Sequence, residues 1–498
     1  MSVNEQQPQL SDLPPEMLDF NILKATIPLA PRLGRLSLPG RKSILTPAFL
    51  GNTSRGAVPH ISQDNFRKCT TLNGVYVALE DFIEKMPHKQ PPVFQVEGEE
   101  PLRQFIALPK ETLLVLGARR APPVPSPAAN TNSEVGLYTS VGFRSISSEY
   151  FAAAVRNLQP DIVVGLADIP FGQESIGTKR KDKMADRTET WMRDIIAKRK
   201  TLEKEERNFN IFAPILPIER DLQSWYLEHL VDDMAAKIHG VAIYDSFLLD
   251  GLPEELHHLP RLSFDTPATP QALLRQVNLG VDVFTVPFVT DATDAGIALD
   301  FTFPAPAKQD AESNVRQSLG VDMWRTEHAL SVTSLTEGCT CYACTKHHRA
   351  YVQHLLSAKE MLGWVLIQLH NHAILDAFFA GIRNSIENGS FDNDFAAFEA
   401  YYEPALPEKT GQGPRVRGYQ FKSEEGQGKV PKKNPKAYKP LMGETDRLKL
   451  QAIHGQQPNK KPEVADQIDD EALMGLVDLE NMRPEEQLEA LEVEDDKS

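Results

Sequence analysis

Three of the chain's four cysteines, Cys339, Cys341 and Cys344, fall within six positions of one another. Zn²⁺ takes four soft or borderline ligands in a tetrahedron, and a tight turn carrying CxCxxC can supply three thiolates. Four cysteines cannot staple a chain of 498 residues. In a reducing compartment, crowded thiols point to metal chemistry before they point to a disulfide. The fourth ligand must come from elsewhere, and five histidines follow: His347, His348, His354, His370 and His372. His347 and His348 lie too near the start of the next helix to swing back. His370 and His372 are both far enough along the chain, but on a helix of 3.6 residues per turn they point about 200° apart. Only one of them can be a ligand, and spacing does not choose. With every position filled by protein, such a site would hold the fold together and leave no place for a catalytic water.

A second chemical signal is weaker. Gly172 to Gly177 (GQESIG) has the spacing of a phosphate loop, but Thr178 and Lys179 follow in the reverse of the Lys-then-Ser/Thr order that the chemistry requires. It reads as a loop. The adjoining basic run Lys179–Lys183 (KRKDK) is a candidate phosphate-facing patch.

These residues need a scaffold, and the middle of the chain supplies an alternation. Strand-like runs occur at Asp161–Leu166, Ile211–Leu216, Gly240–Asp245, Arg261–Asp265 and Gly280–Val286. Helix-like segments lie between them: Met184–Lys200, Glu219–Ile238 and Thr269–Leu279, the last with Thr269 as N-cap and Pro270 at the first helical position. Repeated strand, helix, strand implies right-handed crossovers and a parallel sheet. With β-rich material upstream, including Leu33 to Gly51 around a Pro39-Gly40 turn, this fits a closed (β/α)8 barrel of the TIM type, roughly 250 residues or more. A doubly wound sheet would carry a Gly-rich fingerprint after its first strand. The sequence has none.

From Arg349 to about Tyr402 the pattern is helical, and beyond Pro407 it loses periodicity and gains Gly, Pro, Lys and Gln. The expected organisation is an α/β chain with a flexible N-terminus (1–20) and a barrel (21–335) bearing a Pro-rich surface insertion near 118–132. A C-terminal zinc-binding helical subdomain (336–405) and a disordered, basic then acidic tail (406–498) follow.

Composition excludes several classes. With 41% hydrophobic and 24% charged residues, the chain is neither collagenous, wholly disordered nor a disulfide scaffold. The N-terminus shows no secretory signal, and the most apolar run, Met361–Leu369, is about half the ~20 residues a spanning helix needs. A soluble, intracellular protein is expected. The net charge of −16 is uneven. Residues 409–462 hold 13 Lys/Arg against 4 Asp/Glu, and 463–498 hold 14 acidic residues against 2 basic ones, which leaves −13 on residues 1–408. An acidic body is a poor general binder of nucleic acid. RNA would have to be met by a local patch, by the basic segment Arg415–Lys439, or by another subunit. The stretch Asp469–Met482 reads as part of a solvated tail.

A family resemblance gathers these signals. Cys339, Cys341 and Cys344, followed by Arg349-Ala350-Tyr351, His354-Leu355, Glu360–Gly363 and His370-Asn371, resemble the C-terminal zinc subdomain of the tRNA-guanine transglycosylases. In that family the histidine preceding Asn is the fourth zinc ligand, so the resemblance selects His370. Gly280–Phe288 (GVDVFTVPF) is similar to the family's barrel strand carrying the nucleophilic aspartate, and here that position is Thr285. A hydroxyl is unionised near neutrality, and no adjacent base is evident to activate it. Asp282, three positions earlier on a strand, faces the opposite side and cannot replace it. The family's D-S-G-G-[FY]-Q run, whose aspartate serves in base exchange, is absent from the chain.

Two such losses make the chain resemble the non-catalytic accessory subunits of the eukaryotic queuine tRNA-ribosyltransferases. Gly51–Ser62, Leu158–Asp168 and Ser175–Thr188 share local likeness with them, and the resemblance spans roughly residues 20 to 400. It implies one structural Zn²⁺ on Cys339, Cys341, Cys344 and His370, and no catalytic residue in this chain. It also implies a heterodimer, docked through the zinc subdomain, with a catalytic subunit that exchanges guanine for queuine at the wobble position of tRNA anticodons. A cytoplasmic location and peripheral association with the mitochondrial outer membrane are further expectations. The competing readings are a self-sufficient transglycosylase or other barrel glycosidase using relocated carboxylates such as Asp168 or Asp245, and a zinc-stabilised scaffold unrelated to tRNA.

Overall fold

The computed structural model describes residues 17–84, 90–125, 130–139, 142–172, 176–200, 209–306 and 316–414. The expectations for residues 1–16, for 173–175 of the Gly172–Gly177 loop, and for the tail from 415 onward lie outside them. That tail includes Arg415–Lys439 and Asp469–Met482.

Eight short runs, apolar enough to be buried on both faces, form the strands of a closed parallel barrel. In chain order they are β1 (Ala48–Asn52), β2 (Gly74–Ala78), β3 (Leu113–Gly117), β4 (Ile162–Val164), β5 (Asn210–Ile215), β6 (Gly240–Ile243), β7 (Arg261–Ser263) and β8 (Val283–Thr285). Each pairs in parallel with the next, and β8 closes the ring by pairing Val283 with Ala48. Alternation divides each strand between two cores. Leu50, Tyr76, Val115, Val164, Phe212 and Val283 fill the interior, while Phe49, Val75, Leu114 and Phe284 pack outward against helices. All five expected runs are strands of this barrel.

Ahead of the barrel, Asp19–Ala25, Arg32–Ser37 and Ile44–Thr46 form an antiparallel sheet. Gly40, at φ +78, turns the chain between its second and third strands. Leu36, Leu38 and Ile44 of this sheet join the barrel interior. Two buried ion clamps sit at the N-terminal strand ends. Arg32 holds Asp282 through Nε–Oδ1 (2.9 Å) and Nη2–Oδ2 (2.5 Å), and the Arg261 amide donates to the same carboxylate at 2.8 Å. Asp161 is held by Arg41 and Arg103.

Helix ends follow local chemistry. The Thr269 hydroxyl accepts from the Ala272 amide at 3.3 Å and Pro270 opens the helix Pro270–Asn278, as its sequence implies. Glu219–Ile238 is not the single helix its periodicity suggests. It is a 3₁₀ turn, a short α-helix (Ser224–His229), a π-turn (Leu230–Met234) and another 3₁₀ turn. The buried Gln223 amide binds the Leu216 and Ile218 carbonyls, fixing a bend before the α-helical part can start.

The helix Met361–Asn388 is longer than its apolar run suggests. Among the described residues it alone is long and apolar enough to cross a membrane, and 72% of its most apolar window is buried inside the protein. It packs on the barrel wall, Phe49 stacking on His372 at 5.9 Å and on Phe379 at 5.4 Å. Gly381 sets how closely it docks, because a Cβ there would lie 1.8 Å from the Phe303 carbonyl oxygen. Gly381→Ala should therefore lower stability by about 1–3 kcal/mol, as overpacking does, although alanine favours helix by roughly 1 kcal/mol. The urea midpoint is the measurement, and an unchanged or raised midpoint would show that the helix is free to slide.

Candidate metal centre and barrel mouth

Gly338, at φ +75, begins the turn that gathers the cysteines. Cys341 caps the short helix Tyr342–Lys346, its Sγ accepting from the Cys344 amide at 3.4 Å. That places Cys341 and Cys344 on one side of the knuckle. The third side is the long helix, whose fully buried His370 points its Nδ1 at the sulfurs of Cys339 (3.7 Å), Cys341 (3.6 Å) and Cys344 (3.4 Å). All four ligand atoms lie within 4.8 Å of one another.

The donor set fits a tetrahedral zinc ion. With Zn–S near 2.3 Å and Zn–N near 2.0 Å, the sulfur–nitrogen edge of a tetrahedron is about 3.5 Å, close to the 3.4, 3.6 and 3.7 Å found. The second ring nitrogen agrees. His370 Nε2 lies 2.9 Å from the Leu299 carbonyl oxygen, and donation there leaves the Nδ1 lone pair for a metal. Asn371 anchors the same strand, its Oδ1 accepting from Leu299 N (2.8 Å) and its Nδ2 donating to the Ile297 carbonyl (3.0 Å).

The other histidines are engaged elsewhere. His348 caps the helix Arg349–Ser357, accepting from the Tyr351 amide at 3.2 Å, and His347 stacks on Tyr351 at 5.0 Å. His354 is exposed. His372 faces the barrel wall, where burial pushes its imidazole down to about 4. Of the two histidines that spacing left open, the structure brings His370 to the cysteines.

At the C-terminal end of β8, Thr285 shares the inward face with Val283 and is fully buried. Its Oγ1 donates to the Ser263 carbonyl of β7 at 3.0 Å. Asp282 lies at the other end of the strand, in the Arg32 clamp. Asp168, beyond β4, is buried and saturated. It accepts from Arg180 through both oxygens (2.6 Å each), from Arg187 (3.0 Å) and from Asn130 (2.6 Å). Burial works to raise its pKa, and these hydrogen bonds overcome that and lower it. Asp245, beyond β6, is half-buried. Burial raises its pKa, with neighbouring Asp265 adding to the effect, and its Oδ1 accepts from the Phe247 amide at 3.0 Å.

The run Lys179–Lys183 is divided by its helix. Arg180 is spent on Asp168 and Lys181 on Glu219 (2.7 Å), which leaves Lys179 and Lys183 exposed one turn apart. The Pro-rich stretch 118–132 needs a correction. Pro122 and Pro125 are exposed and residues 126–129 lie outside the described residues, but residues 118–120 and Asn130 are not exposed. Ala118, Arg119 and Arg120 line the barrel mouth, and buried Asn130 ties Asp168 to the Gly136 amide. Sequence reading missed Arg119 and Tyr244 as mouth residues and Asn130 as a partner of Asp168. A signal existed for the first, since Arg119 lies two residues past a β3 that ends in Gly117. Glu80, just beyond β2, is a buried carboxyl that burial pushes up to about 7 against the pull of Arg120.

The architecture defines a TIM-type barrel carrying a Cys₃His knuckle on its C-terminal helices. Comparison with known proteins places that architecture. The family profile described as queuine tRNA-ribosyltransferase matches residues 29–404, and the chain belongs to this family. Among curated relatives, the queuine tRNA-ribosyltransferase accessory subunit 2 of Schizosaccharomyces pombe is 36% identical over 385 residues, covering 76% of this chain and 83% of that protein. Proteins of the same name from Drosophila mojavensis (28%, covering 73% of this chain and 88% of theirs) and Drosophila melanogaster (29%, 71% and 86%) are also similar.

Proposed function

We propose that this chain is the non-catalytic subunit of a tRNA-guanine transglycosylase complex, supporting exchange of guanine for queuine at the anticodon wobble position. The observation carrying this reading is the side chain at the end of β8. Thr285 presents a hydroxyl already bonded to Ser263, while Asp282 and Asp168 are neutralised by arginines. The nucleophile for the exchange then belongs to a catalytic partner. The name shared by the relatives supports the same division of labour.

Zn²⁺ is the proposed resident ion, held by Cys339, Cys341, Cys344 and His370, with a structural role. It would tie the cysteine turn to the long helix and, through the His370–Leu299 hydrogen bond, to the strand Ile297–Leu299. Large apolar side chains are exposed on the segments around this knuckle, among them Leu330 (92%), Val332 (78%), Tyr342 and Met361. Such residues favour docking of the catalytic subunit there. RNA contact through the complex needs only a modest phosphate-facing patch from an acidic body, and Lys179 and Lys183 are available for it. The cytoplasm is the proposed compartment, with the mitochondrial outer face as a docking surface for the complex.

Reconstitution tests this. Co-purification with a catalytic subunit should occur and weaken on zinc chelation, and labelled guanine exchange should appear only in the mixture. Thr285→Asp should leave the isolated chain without exchange activity, because a carboxylate at 285 alone does not restore the missing base-exchange machinery. Exchange by isolated wild-type chain, abolished in Asp245→Asn, would favour the second reading. The half-buried Asp245, with its raised pKa, is the one observation in favour of that reading.

A further inference from the structure

At the open end of the barrel lies a small cleft, lined among others by Tyr76, Arg119, Phe171, Tyr244 and Phe264. Its walls are aromatic. Phe264 stacks on Tyr244 at 5.4 Å and meets Tyr76 edge-on at 5.0 Å. The polar side chains that reach it are donors. Tyr76 spends its hydroxyl on the Arg119 carbonyl. The Tyr244 hydroxyl has no acceptor among the described residues.

The cation in the wall is Arg119. Its guanidinium lies over the Phe171 ring at 5.0 Å, and Nη2 donates a long hydrogen bond (3.4 Å) to Asn130. Among the described residues no carboxylate meets it. Its neighbours are all committed: Arg120 to Asp81, and Arg180 and Arg187 to Asp168. The carboxylates whose charge reaches Arg119 are Glu80, which accepts from the Arg120 and Tyr138 amides, and Asp168, paired with Arg180 and Arg187. Asp245 and Asp265 follow Tyr244 and Phe264 directly, so alternation turns them from the wall those rings form. Their oxygens accept from Phe247 N and from Ser246 N and Oγ.

A guanidinium withdrawn from water without a counter-charge is costly, and an anion placed against it gains charge-assisted hydrogen bonds that are stronger where water is excluded. Burial lowers the pKa of Arg119, with Glu80, Tyr244 and Asp168 opposing, which agrees with a cation lacking a direct partner.

We propose that this cleft binds a small flat ring acid, an aromatic or heteroaromatic carboxylate, with its ring between the Tyr76–Phe264 wall and Phe171. The carboxylate takes the Arg119 guanidinium and the Tyr244 hydroxyl. This goes beyond the proposed function, since it assigns the chain a ligand of its own that takes no part in guanine exchange.

Titration of the full chain with benzoate and with orotate, followed by ligand-observed NMR and calorimetry, tests it, with benzamide and guanine as uncharged rings. Both acids should bind, and the uncharged rings should bind at least tenfold more weakly. Arg119→Met should weaken the acids roughly ten- to hundredfold and Tyr244→Phe by several-fold, with the urea midpoint unchanged in each. Repeating the titration in the complex with a catalytic subunit should give the same affinities. Failure of both acids to bind overturns the proposal, as does wild-type affinity in Arg119→Met. Guanine binding as tightly as the acids overturns it too, since the cleft would then be a base site. None of these readouts depends on exchange activity, so the proposal and the proposed function can fail separately.

Discussion

Replacing Cys341 by serine should abolish stoichiometric zinc while leaving the local backbone intact. Cys341 stands in two places: it is one of the four groups that could hold a metal, and it caps the helix Tyr342–Lys346. Serine is a good N-cap, so the substitution preserves the cap and removes the ligand. Structural zinc sites in small peptides contribute apparent binding free energies of about 10–16 kcal/mol at neutral pH, so loss of one donor should unseat the ion. Hydrogen exchange should then rise across Tyr342–Ser357 and the N-terminal half of the helix Met361–Asn388. The barrel interior, which buries a core apart from the cluster around the knuckle, should keep its protection. Affinity for the catalytic subunit should fall with it. Full zinc content and unchanged exchange in Cys341→Ser would remove the metal from the account of the fold.

Asp282→Ala should be among the most destabilising single substitutions in the chain. Asp282 is fully buried and accepts from Arg32 twice and from the Arg261 amide. Truncation strands the Arg32 guanidinium, 1% exposed, with only the His257 and Leu259 carbonyls as partners. Breaking a buried pair from one side costs about 3–5 kcal/mol, whereas replacing both partners with apolar residues of similar volume is often near neutral. Urea denaturation should therefore show a large loss for Asp282→Ala and substantial recovery in Arg32→Met with Asp282→Leu. A stable Asp282→Ala chain would reopen the question of what that carboxylate does.

The barrel was legible because its strands are short apolar runs at regular spacing, and the alternation of β8 alone separates Thr285 from Asp282. The three thiols were legible because their crowding has few other uses. The choice between His370 and His372 was not legible from spacing. The two differ by rotation about a helix axis, and that rotation is set by docking, with Phe49 and Phe379 on one side and the cysteine turn on the other. The ion clamps were hidden for a related reason. Arg32 and Asp282 are 250 positions apart, and nothing local marks either as half of a pair.

The mouth was misread where composition overruled position. A run of prolines suggests surface, which holds for Pro122 and Pro125, but Arg119 and Asn130 at its margins are positioned by β3 and by Asp168. The break in Glu219–Ile238 has a similar origin. One buried glutamine amide holds backbone carbonyls of the preceding loop, and periodicity carries no trace of it.

The central claim is that no side chain of this subunit attacks the nucleoside. Intact-mass analysis of the isolated, zinc-loaded chain after incubation with guanine-containing tRNA tests it most directly. The expected spectrum holds the unmodified chain alone, with an RNA adduct appearing on the catalytic subunit once that protein is added. An adduct on this chain, mapped to Asp245 or to any other residue, would contradict the account.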